Sequence, residues 1–206
     1  MPDPVIDPVA AFFSAKLAEH GPTPRGVDWN SAVAQEVRFD ALLRVVDEPR
    51  RPFSLLDYGC GYGSLAGHMS AQGYDGTYVG YDVSTTMVEA AGRASAGPGR
   101  SFTADAAALV PVDYVVASGI FNIKLDATES AWLAHMEGLV EAMDRLARRG
   151  FAFNALTSYA DRRRTDLFYA DPLYWFDRCR RRYARRVALL HDYDPWDFTI
   201  VVRKDA

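Results

Sequence analysis

Apolar and polar positions change period along this chain, and the changes divide it into elements. Asp7 to His20 carries apolar residues at helical spacing and predicts an amphipathic helix, which Gly21-Pro22-Thr23-Pro24-Arg25-Gly26 interrupts. A second helix is expected from a cap at Asn30 or Ser31 to about Val46, turning Val33, Val37, Leu42 and Val46 toward the core. From residue 53 onward, short apolar runs alternate with amphipathic stretches. They predict strands at 53–58, 77–82, 101–104, 113–118 and 151–155, and helices at 63–72, 85–94 and 129–148. This β-α-β-α rhythm implies a parallel sheet covered on both faces. The ending differs. After a helix near 172–183, the runs 186–191 and 198–203 are strands joined only by Asp192 to Asp197, which permits an antiparallel hairpin but no parallel crossover.

Two places in this pattern carry chemistry. Leu55-Leu56-Asp57-Tyr58-Gly59-Cys60-Gly61-Tyr62-Gly63 reads as a buried strand running into a glycine-rich turn, and Ser64-Leu65-Ala66 opens a helix. Glycine lets backbone pass close to a ligand, and the bare N–H groups of a helix start favour an electron-rich group there. Asp82 ends the second strand nineteen residues after Gly63, where a carboxylate is placed to accept both hydroxyls of a ribose. Its bland alternative is a helix cap. Dinucleotide-binding domains use the same two devices but prefer G-x-G-x-x-G, and Ser64 stands where their third glycine would be.

The G-x-G-x-G spacing after an acidic residue resembles the first motif of class I S-adenosylmethionine (SAM) dependent methyltransferases. Three later segments fit the same order: Tyr78-Val79-Gly80-Tyr81-Asp82-Val83-Ser84, Thr103-Ala104-Asp105-Ala106-Ala107, and Asp113-Tyr114-Val115-Val116-Ala117-Ser118-Gly119-Ile120-Phe121-Asn122. The resemblance covers roughly residues 30–203. It implies a Rossmann-like, seven-stranded, mostly parallel α/β sheet that closes with the antiparallel hairpin. It also implies SAM as methyl donor and S-adenosylhomocysteine (SAH) as product. By resemblance, Gly59, Cys60 and Gly61 cradle the cofactor, and Asp57 lies near its amino end or holds the loop. Asp105 and Ala106 meet the adenine edge, Val83 and Met87 its face, and Ser118 the methionine side. One domain over 1–206 is expected, with 1–50 a helical lid, 51–206 the core, and a substrate-side insert near 159–183.

Composition narrows the class. With 49% hydrophobic and 24% charged residues the chain can bury one sizeable core and reads as soluble. No apolar run reaches the roughly eighteen residues of a membrane span, and Met1-Pro2-Asp3-Pro4 does not resemble a secretory signal. Cys60 and Cys179 make no disulfide framework, so reduced thiols in the cytoplasm are the simplest reading, and no cluster has metal-ligand spacing. The net charge of -4 hides an asymmetry: residues 145–186 are rich in arginine, including Arg162-Arg163-Arg164 and Arg180-Arg181-Arg182. Such a stretch suits an anionic substrate or nucleic acid, or is a solvated helix face. No RNA-binding module is visible.

Methyl transfer from a sulfonium needs positioning more than acid–base help, so no strong catalytic signature is expected. Candidates lie at the carboxyl ends of the strands. His191, Tyr169 and Asn122 are the candidate catalytic groups, and Trp29, Phe121, Tyr159, Tyr169 and His191 the candidate acceptor contacts. His20, His68 and His135 read as structural. A guanidinium fork at Arg38 suits SAM's carboxylate, the alternative being a surface ion pair. Ser118 to Asn122 departs from the Asp/Asn-Pro-Pro-Tyr/Phe motif of nucleic-acid and protein amide N-methyltransferases. The leading expectation is O- or N-methylation of a small molecule, anionic ones included, in secondary metabolism or sugar and polysaccharide modification. The competitors are an RNA- or protein-directed enzyme and a SAM- or NAD-binding module without transfer. Aromatic residues near 167–176 are a candidate surface for a homodimer.

Overall fold

The computed structural model describes residues 4–193 and 196–205. Its helices are α1 Ile6–His20, α2 Ala32–Leu43, α3 Ser64–Ala71, α4 Thr85–Ala94, α5 Glu129–Leu146 and α6 Pro172–Arg182. Its strands are β1 Phe53–Tyr58, β2 Gly76–Tyr81, β3 Arg100–Thr103, β4 Val112–Ala117, β5 Ala147–Leu156, β6 Arg186–Leu190 and β7 Asp197–Arg203. The strands form one sheet in the order β3-β2-β1-β4-β5-β7-β6. β1 to β5 are parallel, while β7 runs antiparallel to both β5 and β6. The expected Rossmann-like sheet with a closing hairpin is therefore present. Among the described residues no helix is long and apolar enough to cross a membrane.

Local chemistry explains the helix starts. Ser31 accepts from Ala34 N at 3.1 Å, which settles the cap of α2, and Ser84 and Thr128 do the same for α4 and α5. Asp171 caps α6, with Pro172 in its first turn. The sheet then separates two apolar layers. Trp132, Met136, Val140 and Met143 of α5, with Trp175 and Cys179 of α6, pack on Val115, Phe151, Phe153 and Ile200. On the other face Phe39, Leu42 and Leu43 of α2, with Leu65 and Met69 of α3, pack on Leu55, Tyr114, Val116 and Val201.

One expected core position is wrong. Val33 is 67% exposed, and beside the expected Leu42 α2 buries Gln35, Arg38 and Phe39. The reason is electrostatic: Arg38 reaches the sheet and forms an ion pair with Asp197, the first residue of β7. Asp197 has no exposed surface and Arg38 has 6%. Removing one partner of such a pair strands a buried charge. Arg38→Met should therefore cost about 3–5 kcal/mol of stability in denaturant unfolding. A loss below about 1 kcal/mol, the usual worth of an exposed pair, would contradict the burial argument.

Candidate active site

β1 leaves the sheet into three glycines in left-handed conformations: Gly59 (φ 83), Gly61 (φ 54) and Gly63 (φ 79). All three are pressed by neighbours, and a Cβ on Gly63 would lie 2.8 Å from Phe102 Cε1. A Cβ on Gly59 would lie 2.2 Å from Ile120 Cγ2, and one on Gly61 would lie 2.9 Å from Val27 Cγ1. The turn is tied to the end of β2. Gly59 N and Cys60 N donate to the Tyr81 carbonyl at 2.7 and 2.9 Å. Asp82 then accepts from Gly61 N at 2.9 Å through Oδ2 and from Ser84 N at 3.0 Å through Oδ1. Burial raises the Asp82 pKa, and these two backbone bonds oppose the rise.

A cavity of about 580 Å³ opens above this turn, a volume ordinary for a small-ligand site. Its floor is Gly59, Gly61, Asp82, Ser118 and Gly119, and Val83 and Met87 of the β2–α4 segment form one wall. Ala134, His135, Gly138 and Leu139 of α5 form another, together with Tyr58 and Tyr81. The inner face of α1, through Ile6, Asp7, Val9, Ala10 and Phe13, makes the roof. α1 is fastened over the α4 start by polar contacts, Ser14 Oγ lying 3.0 Å from Ser84 Oγ and 3.2 Å from Thr86 Oγ1. A smaller recess of about 40 Å³ adjoins the turn, lined by Trp29, Gln35, Asp57, Cys60, Tyr62, Ser64 and Ser118 among others.

Of the residues singled out in the sequence, Trp29, Gly59, Gly61, Asp82, Val83, Met87 and Ser118 come together around the main cavity, and Asp57 and Cys60 face the recess. The others lie elsewhere. Arg38 is held by Asp197, with its guanidinium 4.4 Å from the centroid of the Trp29 ring. Asp105 is exposed and accepts from Ala107 N at 2.9 Å, capping the single turn Ala106–Ala108. Phe121 has no exposed surface and packs on Phe153. Asn122 is turned inward and accepts from Leu156 N at 3.1 Å. Tyr169 accepts from Arg164 N at 3.0 Å, and Tyr159 and His191 are exposed with rings 6.0 Å apart. In the insert Trp175 is core, whereas Tyr174 points outward to Glu137.

A helical lid over 1–50 was expected, but not the face of α1 that lines the cavity, nor the α5 wall. The stripe Ile6, Val9, Ala10 and Phe13 has helical spacing, and Ala134 and Gly138 are small residues one turn apart that leave room beside His135. Periodicity showed the first feature but not where it docks.

Asp57 stands out electrostatically. It is 3% exposed, Tyr78 donates to its Oδ2 at 2.6 Å, and Oδ1 has no hydrogen-bond partner among the described residues. Burial pushes its pKa up to about 7, against the Tyr78 hydrogen bond and with help from the Asp82 charge. The folded chain therefore keeps a proton that the unfolded chain releases above about pH 4. Stability from this group is present at low pH and is lost as pH rises through about 7. Asp57→Asn keeps an acceptor for Tyr78 and removes the titration. Its melting temperature should fall less than the parent's between pH 5 and 8, whereas parallel curves would contradict the assignment.

A glycine turn tied to an acidic strand end, at the carboxyl edge of a sheet ordered β3-β2-β1-β4-β5-β7-β6, is the architecture of Rossmann-like methyltransferases. A family model described as a methyltransferase domain matches residues 29–158. A Mycobacterium tuberculosis protein, "Putative methyltransferase Rv1506c", is 49% identical over 160 residues, covering 74% of this chain and 94% of that protein. Among solved structures, magnesium protoporphyrin IX methyltransferase from Synechocystis with bound SAH matches with a TM-score of 0.63 and 16% identity, over 84% of each chain. Human N-acetylserotonin methyltransferase with SAM matches with a TM-score of 0.59 and 15% identity, over 82% of this chain and 52% of that one. At such identities the last two speak for the fold. The chain belongs to the methyltransferase-domain family and is a class I SAM-dependent methyltransferase.

Proposed function

We propose that the cavity beneath α1 holds SAM and that the enzyme methylates an oxygen or nitrogen of a small molecule. The observation that supports this most is the roofed cavity itself, which joins Gly59, Gly61, Asp82 and Ser118 in one space closed by an apolar helix face. The residues present fit the donor. Glycine positions leave a cradle that side chains would fill, and Asp82 keeps acceptor capacity beyond its two backbone bonds. Asp57 Oδ1 offers a carboxylate oxygen for an ammonium group. When bound, SAM supplies an electrophilic methyl group whose sulfur leaves as a neutral thioether. The protein's share is to align the acceptor and exclude water, which Ile120, Val27, Phe13 and Val9 serve by walling the space.

Charge bears on the acceptor. The charged side chains lining the cavity are Asp7 and Asp82, and no Lys or Arg lines it among the described residues. Four arginines of the basic stretch are paired away from the cavity: Arg178 and Arg182 with Glu141 of α5, Arg181 with Asp177, and Arg164 with Asp166. This favours a neutral or cationic acceptor over an anionic one, and a small molecule over RNA. Secondary metabolites and sugars fit that description. The reading makes no use of His191 or Tyr169, which lie outside the cavity lining.

Asp82→Ala tests the donor site. Losing a charged acceptor should weaken SAH binding about ten- to hundredfold in calorimetric titration, because hydrogen bonds to charged groups are worth about 1.5–3 kcal/mol. Unchanged affinity in a folded variant would remove Asp82 from the site. SAH release on incubation with SAM and small acceptors, without RNA, tests the acceptor class. Turnover that depends on RNA would overturn it.

A further inference from the structure

The loop after β4 forms part of the cavity floor, and side chains outside the cavity hold it at three points. Asn122 Oδ1 accepts from Leu156 N, Trp132 Nε1 donates to the Phe121 carbonyl at 2.8 Å, and Asn154 Oδ1 accepts from Gly119 N at 2.7 Å. The third contact differs from the others because Gly119 itself lines the cavity. Its φ is 74, and a Cβ there would lie 2.7 Å from Trp29 Cζ2, so the indole rests on a bare Cα. Trp29 lines both the cavity and the recess beside Asp57.

Asn154 is a costly residue if its role is only to fill the core. It has no exposed surface, and its Nδ2 has no hydrogen-bond partner among the described residues. A buried donor left unmade costs about 1–3 kcal/mol, which an apolar side chain of similar volume would avoid. What an apolar side chain could not do is accept from Gly119 N. Asn154 pairs with Thr199 across β5 and β7, so the rigid middle of the sheet sets its position.

We infer that Asn154 is a positioning residue of the methyltransferase site, acting through Gly119 and Trp29. Its carbonyl oxygen fixes the Gly119 N–H and with it the left-handed turn. The turn seats Trp29, and Trp29 closes the methionine end of the donor site. Asn154 touches neither donor nor acceptor in this arrangement. The inference rests on the cavity being the SAM site.

The test is a set of variants in which SAH affinity and unfolding midpoint are measured together. Asn154→Leu should keep its midpoint near that of the parent while SAH affinity falls about tenfold or more, since small misplacements of a site carry costs of that size. Asn154→Asp keeps an oxygen for Gly119 N and should restore most of the affinity. Gly119→Ala drives a methyl into the indole and should weaken binding as well. The Asn154→Leu, Gly119→Ala double variant should be no weaker than the worse single one, because both break the same seat. Parental affinity in folded Asn154→Leu would overturn the inference, as would multiplied losses in the double variant. If Asn154→Leu does not fold, Gly119→Ala decides: parental SAH affinity there overturns the seat, and weakened affinity that adding Trp29→Ala does not lower further supports it. SAH binding by the parent protein, measured in the same series, tests the underlying site assignment separately.

Discussion

The site depends first on one carboxylate. Asp82 links the two crossing points of the sheet's carboxyl edge, holding Gly61 N of the β1 turn with one oxygen and Ser84 N of the α4 start with the other. The Tyr81 carbonyl and the Ser95 hydroxyl, which donates to the Tyr62 carbonyl at 3.1 Å, hold the rest of the turn. Asp82 is also the group we propose for the ribose hydroxyls, so on that proposal one residue both binds the donor and builds the cradle for it. Ser84, beside it, caps α4 and meets Ser14, which carries the order of the turn outward to the roof helix.

A second constraint lies on the α2 face. Gln35 and Arg38 are buried there, Gln35 accepting from Tyr62 of the glycine turn and Arg38 paired with Asp197. Polar groups in such positions stabilise only with their partners, and they define the register of α2 against the sheet. Arg38 also lies over Trp29, which sits on Gly119. The segment between α1 and α2 is thereby anchored to β4, β5 and β7 together. The cavity floor is thus tied to the sheet, while its roof is held by the Ser14 hydroxyl contacts, the Lys16–Asp28 ion pair at 3.0 Å and the packing of Val9 on the core.

Much of the fold was legible because its signals are local. The strand–helix rhythm, the cap at Ser31, and the short link between the last two strands each depend on a few adjacent residues. The glycine turn and Asp82 were legible for the same reason. What could not be read depends on long-range placement. Val33 looked inward because apolar periodicity ignores a buried arginine whose partner is 159 residues away. Phe121 and Asn122 follow β4 at the right level, but a positive-φ glycine turns the chain so that both go into the core. His191 ends a strand pointing the expected way. Strand order puts β6 at the sheet edge beyond β7, so His191 lies off the cavity that β1, β2 and β4 surround. The lid was expected, but its docking face was hidden because an amphipathic helix shows its apolar stripe and not what it packs on.

A crystal structure of the protein with SAH would test the central claim most directly. The account predicts the ribose hydroxyls on Asp82, the methionine end over Gly59 and Gly61 beside Asp57, and the whole ligand beneath α1. SAH bound elsewhere, or seated there without contact to Asp82, would contradict it.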